Sequence, residues 1–212
     1  PLRRAWNATV LGIGVAATAL RILFAARDPR TRLHVRLGTR KGASWTQPIE
    51  LDRLKAVGRA YGVTLNDVLL AVTAGALRRH LLAHGERPHD LRIFMPVNLR
   101  PPGQPVPASL GNRFGLIFFS LPISLADAEQ RVRAVHARTQ RLKAGRQAAA
   151  TFAMLSIIGA LPVWGHRLAA GLLGAKSSAV VTNVPGPREP VMLAGAQVDR
   201  LIRGGAAFAA DE

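Results

Sequence analysis

Ser177–Pro187, with the sequence S-S-A-V-V-T-N-V-P-G-P, indicates the fold class more clearly than any other stretch of this chain. Its valines and its threonine favour a β-strand, and Pro185 and Pro187 must end that strand because proline cannot donate to a sheet ladder. Gly186 can then turn the chain at a positive φ. The pattern therefore predicts that Asn183 lies at a strand end, which is where α/β proteins tend to bind ligands. An asparagine that merely forms the turn explains the same residues without a ligand.

Strand-like and helix-like patterns alternate around this stretch. Leu91–Val97 and Arg113–Ile123 are typical of strands, and the nearly continuous apolar character of the second predicts that both its faces are buried. The remaining predicted elements are helices at Leu51–Tyr61, Thr64 to about Leu82, Ala126–Lys143, Ala148–Ala160 and Val163–Leu173, and strands at Leu33–Leu37 and Val191–Ile202. We find no internal repeat and no linker long enough to mark a second independent domain. This order predicts an α/β domain with a mixed sheet flanked by helices.

The charge of the chain is strongly positive. Its 212 residues include 29 Lys and Arg against 12 Asp and Glu, which gives a formal net charge of +17. Such a chain is attracted to polyanions, that is, to nucleic acid, an anionic membrane surface or a phosphorylated cofactor. Nucleic acid is the least favoured of these because no nucleic-acid-binding motif is evident. The absence of cysteine excludes disulfides, thiolate nucleophiles and cysteine-based metal sites.

Two apolar stretches raise the question of membrane contact. Ala5–Leu20 falls short of the roughly 20 apolar residues that cross a bilayer, and Ala148–Gly165 is interrupted by Pro162. We therefore predict packed or amphipathic helices rather than membrane spans. Contact of either stretch with a lipid interface stays open.

Few residues in the sequence indicate a catalytic or metal-binding role. His80 and His84 have the spacing of a helical metal pair, but a helix C-terminus also favours imidazoles, so no metal is predicted. There is no G-x-S-x-G elbow and no Gly-rich phosphate loop. No catalytic residue is assigned.

Polar residues at element ends are the better candidates for a site. Asn66 and Asp67 open a mostly uncharged helix, where they could contact a ligand or simply satisfy free N–H groups of the first turn. Asn98, Asn112 and Asn183 end or begin predicted strands, and we expect them to form a polar seam along one sheet edge. Arg100 could pair there with a phosphate or a carboxylate.

Five stretches, in this order, resemble the C-terminal half of the bacterial wax ester synthase/diacylglycerol acyltransferase family. They are TRLHVRLGTRKGASWTQPIEL, YGVTLNDVLLAVTAGALRRHLLAHGERP, MPVNLR, LGNRFGLIFFSLPI and VVTNVPGPREPVMLAGAQV, within about Thr31–Val198. The resemblance implies one half of a coenzyme A-dependent acyltransferase fold, related to chloramphenicol acetyltransferase, in which two α/β halves enclose a tunnel. It also implies esterification of diacylglycerol or a long-chain alcohol, with acyl-coenzyme A as co-substrate and no bound cofactor.

The sequence departs from the family at the catalytic motif. Family members take the acceptor proton with a histidine of an HHxxxDG motif, and no such motif occurs here. The resemblance therefore implies that residues 1–30 are a lead-in helix from an N-terminal half and that residues 31–212 are the acyltransferase domain, shortened at its C-terminus. This domain is expected to be inactive unless joined to an HHxxxDG-bearing half, on the same or a separate chain. The residues expected to bind substrate or shape the tunnel are Asn66, Asp67, Asn98, Arg100, Asn112, Asn183, Pro185 and Gly186.

The resemblance also implies a location. We expect a cytoplasmic protein peripherally associated with the inner membrane or with lipid inclusions. The alternative is a non-catalytic protein derived from the same fold that binds a lipid or membrane surface.

Overall fold

A computed structural model of the chain describes residues 28–33, 46–99, 114–143, 147–184 and 190–198, together with the single positions 17, 20, 24, 42 and 44. Positions 17, 20 and 24 are helical. The helices with described bounds are α1 (Leu51–Tyr61), α2 (Leu65–Ala83), α3 (Ala128–Lys143), α4 (Gln147–Gly159) and α5 (Val163–Gly174). The strands are β1 (Leu91–Asn98), β2 (Phe114–Leu121), β3 (Ala179–Val180), β4 (Met192–Leu193) and β5 (Ala196–Gln197). The predicted strand at Leu33–Leu37 lies outside the described residues beyond Leu33.

The main sheet is mixed, as predicted, and has the strand order β2-β1-β3. β1 pairs antiparallel with β2 over its whole length, from Leu91 opposite Leu121 to Asn98 opposite Phe114. On its other side β1 pairs parallel with β3, and the backbone N–H of Val181 donates to Phe94 O beyond the last pair. β3 is thus shorter than the predicted strand and ends before Asn183.

The prediction of a single strand over Val191–Ile202 is wrong, because the chain reverses direction within this stretch. β4 and β5 form a separate antiparallel hairpin whose turn is Ala194–Gly195. Both turn residues have positive φ, 49° and 83°, a combination that matches the twist of a two-residue hairpin. The described part of this stretch ends at residue 198.

The hydrophobic core lies between one face of the sheet and the helices α2 and α3. Its sheet face comes from paired positions, since Leu91 lies opposite Leu121 and Ile93 opposite Phe119. All four are at most 1% exposed. The helical side of the core includes Leu70, Ala71, Ala74, Leu81, Val132 and Val135. Val132 and Val135 are thus the inward-facing residues of α3 in this cluster.

β2 is not buried on both faces, which corrects the prediction made from its apolar sequence. Burial alternates along the strand, so that Ile117 and Phe119 are buried whereas Phe114 is 39% exposed and Ser120 is exposed. Successive strand side chains point to opposite faces, and only the face towards α2 and α3 is closed. The β2 side chains on the opposite face are partly buried or exposed.

The boundary between α1 and α2 follows the predicted chemistry. Gly62 ends α1 in the left-handed conformation, with φ 63°, and its N–H donates to carbonyls of the last turn. Thr64 is the N-cap of α2 and forms a reciprocal capping box with Asp67. Within the described ranges no single helix is long and apolar enough to cross a membrane; α1 and α2 meet that criterion only as a pair, bent by 101°.

Candidate functional site

Asp67 is the most highly connected polar residue between α2 and α3. It is 0% exposed, and both carboxylate oxygens accept hydrogen bonds. The Thr64 N–H donates to Oδ2 at 3.1 Å, His136 Nδ1 donates to the same oxygen at 2.9 Å, and Thr139 Oγ1 donates to Oδ1 at 2.7 Å. The Asp67 N–H donates in return to Thr64 Oγ1 at 3.2 Å. One carboxylate therefore caps α2 and ties it to α3; we call these four residues the Asp67 clamp.

The clamp fixes the orientation of His136. A carboxylate can only accept, so the hydrogen bond requires the proton on Nδ1, and Nε2 is the nitrogen directed away from Asp67. The His136 side chain is 31% exposed, and Gln140 Nε2 lies 3.5 Å from its Nε2. The Asn-Asp pair was singled out in the sequence as a helix start or a ligand contact. For Asp67 the structure shows the role at the helix start. It adds a second role, because the same carboxylate also binds His136 and Thr139 of α3.

Burial by itself raises the pKa of Asp67, but the hydrogen bonds from His136, Thr139 and Thr64 together outweigh burial and hold that pKa below its ordinary value of 3.8. The pKa of Asp90 is lowered in the same way: burial raises it, and the hydrogen bonds from Ser124 and Arg138 outweigh burial. Both carboxylates are thus ionised and structurally engaged at neutral pH.

This lowered pKa predicts a specific acid sensitivity. An aspartate whose pKa is lower in the folded than in the unfolded state stabilises the fold fully above about pH 4, and this contribution is lost as the pH falls through the folded-state pKa. We therefore expect the difference in melting temperature between the chain and Asp67→Asn to be largest near neutral pH and to shrink below about pH 4. Thermal unfolding followed by circular dichroism from pH 6 downwards measures this difference.

Asp52→Asn is the matched control for that experiment, because Asp52 also lies in the first turn of a helix but its side chain is 91% exposed. Its effect on the melting temperature should be small at every pH. A difference between the chain and Asp67→Asn that stays constant across the range would contradict the assigned pKa direction.

The strand-end amides belong to the sheet, whereas the clamp is formed by α2 and α3. Asn98 is the last residue of β1 and is exposed, and Asn183 lies in the exposed segment after β3. Continuing the parallel register past its last pair, Phe94 with Val180, would bring Asn183 level with Val97, next to Asn98. Asn98 and Asn183 thus lie near the carboxyl ends of adjacent parallel strands. Because successive strand residues face opposite sides of a sheet, Asn98, one position beyond Val97, would on this register face the opposite side of the sheet from Asn183. The seam that includes Asn112 stays a prediction.

Four of the eight predicted site residues lie outside the part of the chain that the structure describes. They are Arg100, Asn112, Pro185 and Gly186. Asn66 is half-buried in the first turn of α2. Their assignment to substrate binding remains a prediction.

A second buried aspartate, which the sequence analysis missed, attaches β3 to β1. Asp28 is 6% exposed, and both its oxygens accept from the Arg92 N–H at 2.9 Å. Ser178 Oγ donates to the same carboxylate, while the Ser178 N–H donates to Arg92 O at 2.8 Å. Ser177 Oγ also donates to Arg92 O at 3.1 Å. The serines that open the Ser177–Pro187 stretch therefore fix where β3 begins.

Part of the positive charge is structural. Arg78 Nη1 donates to Ile123 O and Ser124 O, and Arg131 Nη1 donates to Leu125 O and Ala126 O, so two arginines bind four successive carbonyls between β2 and α3. These guanidinium groups donate to backbone carbonyls that the hydrogen bonds of a helix or a strand would otherwise satisfy. They thereby fix the path of the connection. The formal net charge thus overstates the number of basic side chains that are available to bind a polyanion.

The histidine pair on α2 is accounted for by local contacts. His84 Nδ1 donates to His80 O at 2.8 Å, and the two rings lie 4.5 Å apart at a tilt of 51°. Among the described residues no group of three or more metal-ligating side chains comes together.

Comparison with known proteins defines the class. The chain superposes on the solved structure of a wax ester synthase/diacylglycerol acyltransferase from Marinobacter aquaeolei with a TM-score of 0.56, over 89% of this chain and 43% of that one, at 24% identity. This confirms the fold that the sequence resemblance implied, which is one half of a coenzyme A-dependent acyltransferase fold.

The sequence comparisons define the family. Residues 110–206 match the model of the WS/DGAT C-terminal domain. The chain is 38% identical over 162 residues to a putative diacylglycerol O-acyltransferase of Mycobacterium tuberculosis, which covers 73% of this chain and 32% of that protein. It is 33% identical, over 73% of its length, to the O-acyltransferase WSD of Acinetobacter baylyi. The chain belongs to the wax ester synthase/diacylglycerol acyltransferase family, and it spans about a third of the length of these relatives.

Proposed function

We propose that this chain provides the C-terminal part of an O-acyltransferase that esterifies diacylglycerol or a long-chain alcohol with acyl-coenzyme A. The observation that carries the proposal is the similarity over 73% of the chain to proteins named as acyltransferases. The products would be triacylglycerol or wax ester. Acyl-coenzyme A enters as co-substrate, since its thioester is the activated acyl donor.

The proposed reaction needs a base that this sequence does not contain in its family form. A histidine of an HHxxxDG motif, on another segment of the same protein or on a separate chain, takes the proton of the acceptor hydroxyl. The acceptor oxygen attacks the thioester carbonyl, the ester C–O bond forms, the C–S bond breaks, and coenzyme A leaves as the thiol with that proton. This chain contributes one wall of the tunnel, with Asn98 and Asn183 near the carboxyl ends of two of its strands.

Recombining two halves tests the proposal. We expect that this chain, co-expressed with an HHxxxDG-bearing N-terminal half of a family member, releases thiol from palmitoyl-coenzyme A in the presence of diacylglycerol. Neither half alone should do so. Thiol release followed by a colorimetric reagent, with chromatography of the lipid product, measures the reaction.

The matched control is the same pair with both histidines of that motif replaced by alanine, which should abolish the release. If the two halves fold and co-purify but release no thiol, the proposal is wrong.

The proposed location is cytoplasmic and peripheral to the inner membrane or to lipid inclusions. The exposed apolar side chains of α5 support it, and they also favour the alternative, a non-catalytic protein that binds a lipid surface. The recombination experiment separates the two, because the alternative predicts lipid binding without thiol release from any pair.

A further inference from the structure

α5 exposes an apolar face that the rest of the described structure leaves uncovered. Trp164 is 70% exposed, Leu168 is 59% exposed and Leu172 is 42% exposed. They are spaced four residues apart and so lie within about 80° of one another around the helix axis. A neighbouring face holds Gly165, which is buried, with Ala169 and the partly buried Leu173. α5 therefore packs along one face and presents a second one; we call Trp164, Leu168 and Leu172 the α5 apolar face.

The burial of Gly165 is a local contact with the segment that enters α5. A Cβ added at Gly165 would lie 2.9 Å from Leu161 Cβ, so the chain entering α5 approaches the helix closely at that point. Leu161 is itself 39% exposed and Val163 is 67% exposed, which extends the apolar surface to the start of the helix. Large apolar side chains grouped in this way, on a helix that has another face for packing, mark an interaction surface.

The sequence around α5 is devoid of negative charge. From Gln130 to Arg188 there is no Asp or Glu. The basic residues of the same span are Arg131, Arg133, Arg138, Arg141, Lys143, Arg146, Arg167, Lys176 and Arg188. Some of them bind carbonyls or carboxylates within the fold, as Arg131 and Arg138 do. The span nevertheless has no acidic group to repel an anionic surface, and Arg167 is exposed on α5 itself.

We propose that the α5 apolar face binds to the surface of a lipid layer that carries anionic headgroups. Trp164, Leu168 and Leu172 would enter the boundary between headgroups and acyl chains, with the helix lying in the plane of the surface. Arg167 would stay at the level of the headgroups, where each basic side chain adds to the attraction. The inference rests on the peripheral location proposed above and names the residues that produce it.

Charge complementarity decides between a lipid surface and a second copy of this chain. Two copies would bring together two molecules of formal charge +17. Like charges of that size oppose association unless acidic groups are interspersed. Anionic headgroups instead offer the opposite sign over a wide area. The third possible occupant, another part of the acyltransferase, becomes an outcome of the test.

Vesicle flotation tests the proposal with the whole 212-residue chain. We expect the chain to float with vesicles of phosphatidylcholine and phosphatidylglycerol, more weakly with phosphatidylcholine alone, and less at high salt. Replacing Trp164, Leu168 and Leu172 together by glutamine should reduce the bound fraction of the anionic vesicles about ten-fold or more, because the apolar anchors are lost while helix propensity is kept. Quenching of Trp164 fluorescence by brominated lipid, with Trp6 and Trp45 changed to phenylalanine, gives a second readout.

The matched control is Val72→Gln with Leu82→Gln, since these α2 side chains are 49% and 50% exposed and also apolar. Flotation of this variant should be unchanged, and circular dichroism should show both variants folded. Equal flotation of the α5 variant and the chain would overturn the proposal. Loss of flotation when the N-terminal half is added would also overturn it and assign the face to a protein contact. Thiol release measured in detergent, without vesicles, tests the catalytic proposal separately.

Discussion

Replacing Asp67 with alanine should lower the free energy of unfolding by about 3 to 4 kcal/mol. The carboxylate is 0% exposed and accepts from Thr64, Thr139 and His136, so its removal deletes a helix cap and leaves buried donors without an acceptor. The loss should appear as a lower denaturant midpoint in urea unfolding followed by circular dichroism.

Asp52→Ala is the control, because it removes an aspartate from the first turn of α1 where the only described ion pair, with Lys55, is exposed. Such a pair contributes at most about 1 kcal/mol. Asp67→Asn should fall between the two, since an amide oxygen can still accept one of the bonds. If Asp67→Ala and Asp52→Ala cost the same, Asp67 is not the tertiary clamp described here.

Replacing Phe119 with alanine should cost a similar amount, about 3 to 5 kcal/mol. Phe119 is 1% exposed, lies opposite Ile93 on β1, and belongs to the cluster that α2 and α3 close. Truncation removes the buried ring and leaves a cavity that the surrounding helices cannot fill completely. Urea unfolding of the variant measures the cost.

Phe114→Ala provides the matched comparison on the same strand. Phe114 is 39% exposed at the other end of β2, so we expect its truncation to cost about 1 kcal/mol or less. Similar costs for the two variants would mean that β2 is buried on both faces after all, as its sequence alone suggests.

The elements that could be predicted from the sequence are those fixed by neighbouring residues. α1 has the predicted bounds, and α2 begins at the predicted Thr64 cap, because Gly62 and the Thr64–Asp67 pair act within one helical turn. Pro162 separates α4 from α5 in the same local way. The one predicted strand that proved to be a hairpin, β4 with β5, turns at Ala194–Gly195, where a dipeptide less typical than Asn-Gly concealed the reversal.

The candidate site was predicted only in outline. Asp67 was identified, but not His136 and Thr139, although they lie three residues apart and therefore on one face of α3. Asp28 was missed because nothing in its neighbourhood signals that Arg92 and Ser178 will meet its carboxylate. A buried aspartate is recognised by its partners, and these come from other elements.

The sequence by itself determined the helix starts and ends, the α/β class and the family pattern that runs from Thr31 to Val198. Only the tertiary structure decided that Asp67 accepts hydrogen bonds from His136 and Thr139, which are 69 and 72 positions away in the sequence. It also decided that only one face of β2 is buried and that Trp164 of α5 is exposed. The physical reason is the range of the forces involved. Caps and turns satisfy backbone groups within four residues, whereas burial depends on which surfaces the folded chain brings together.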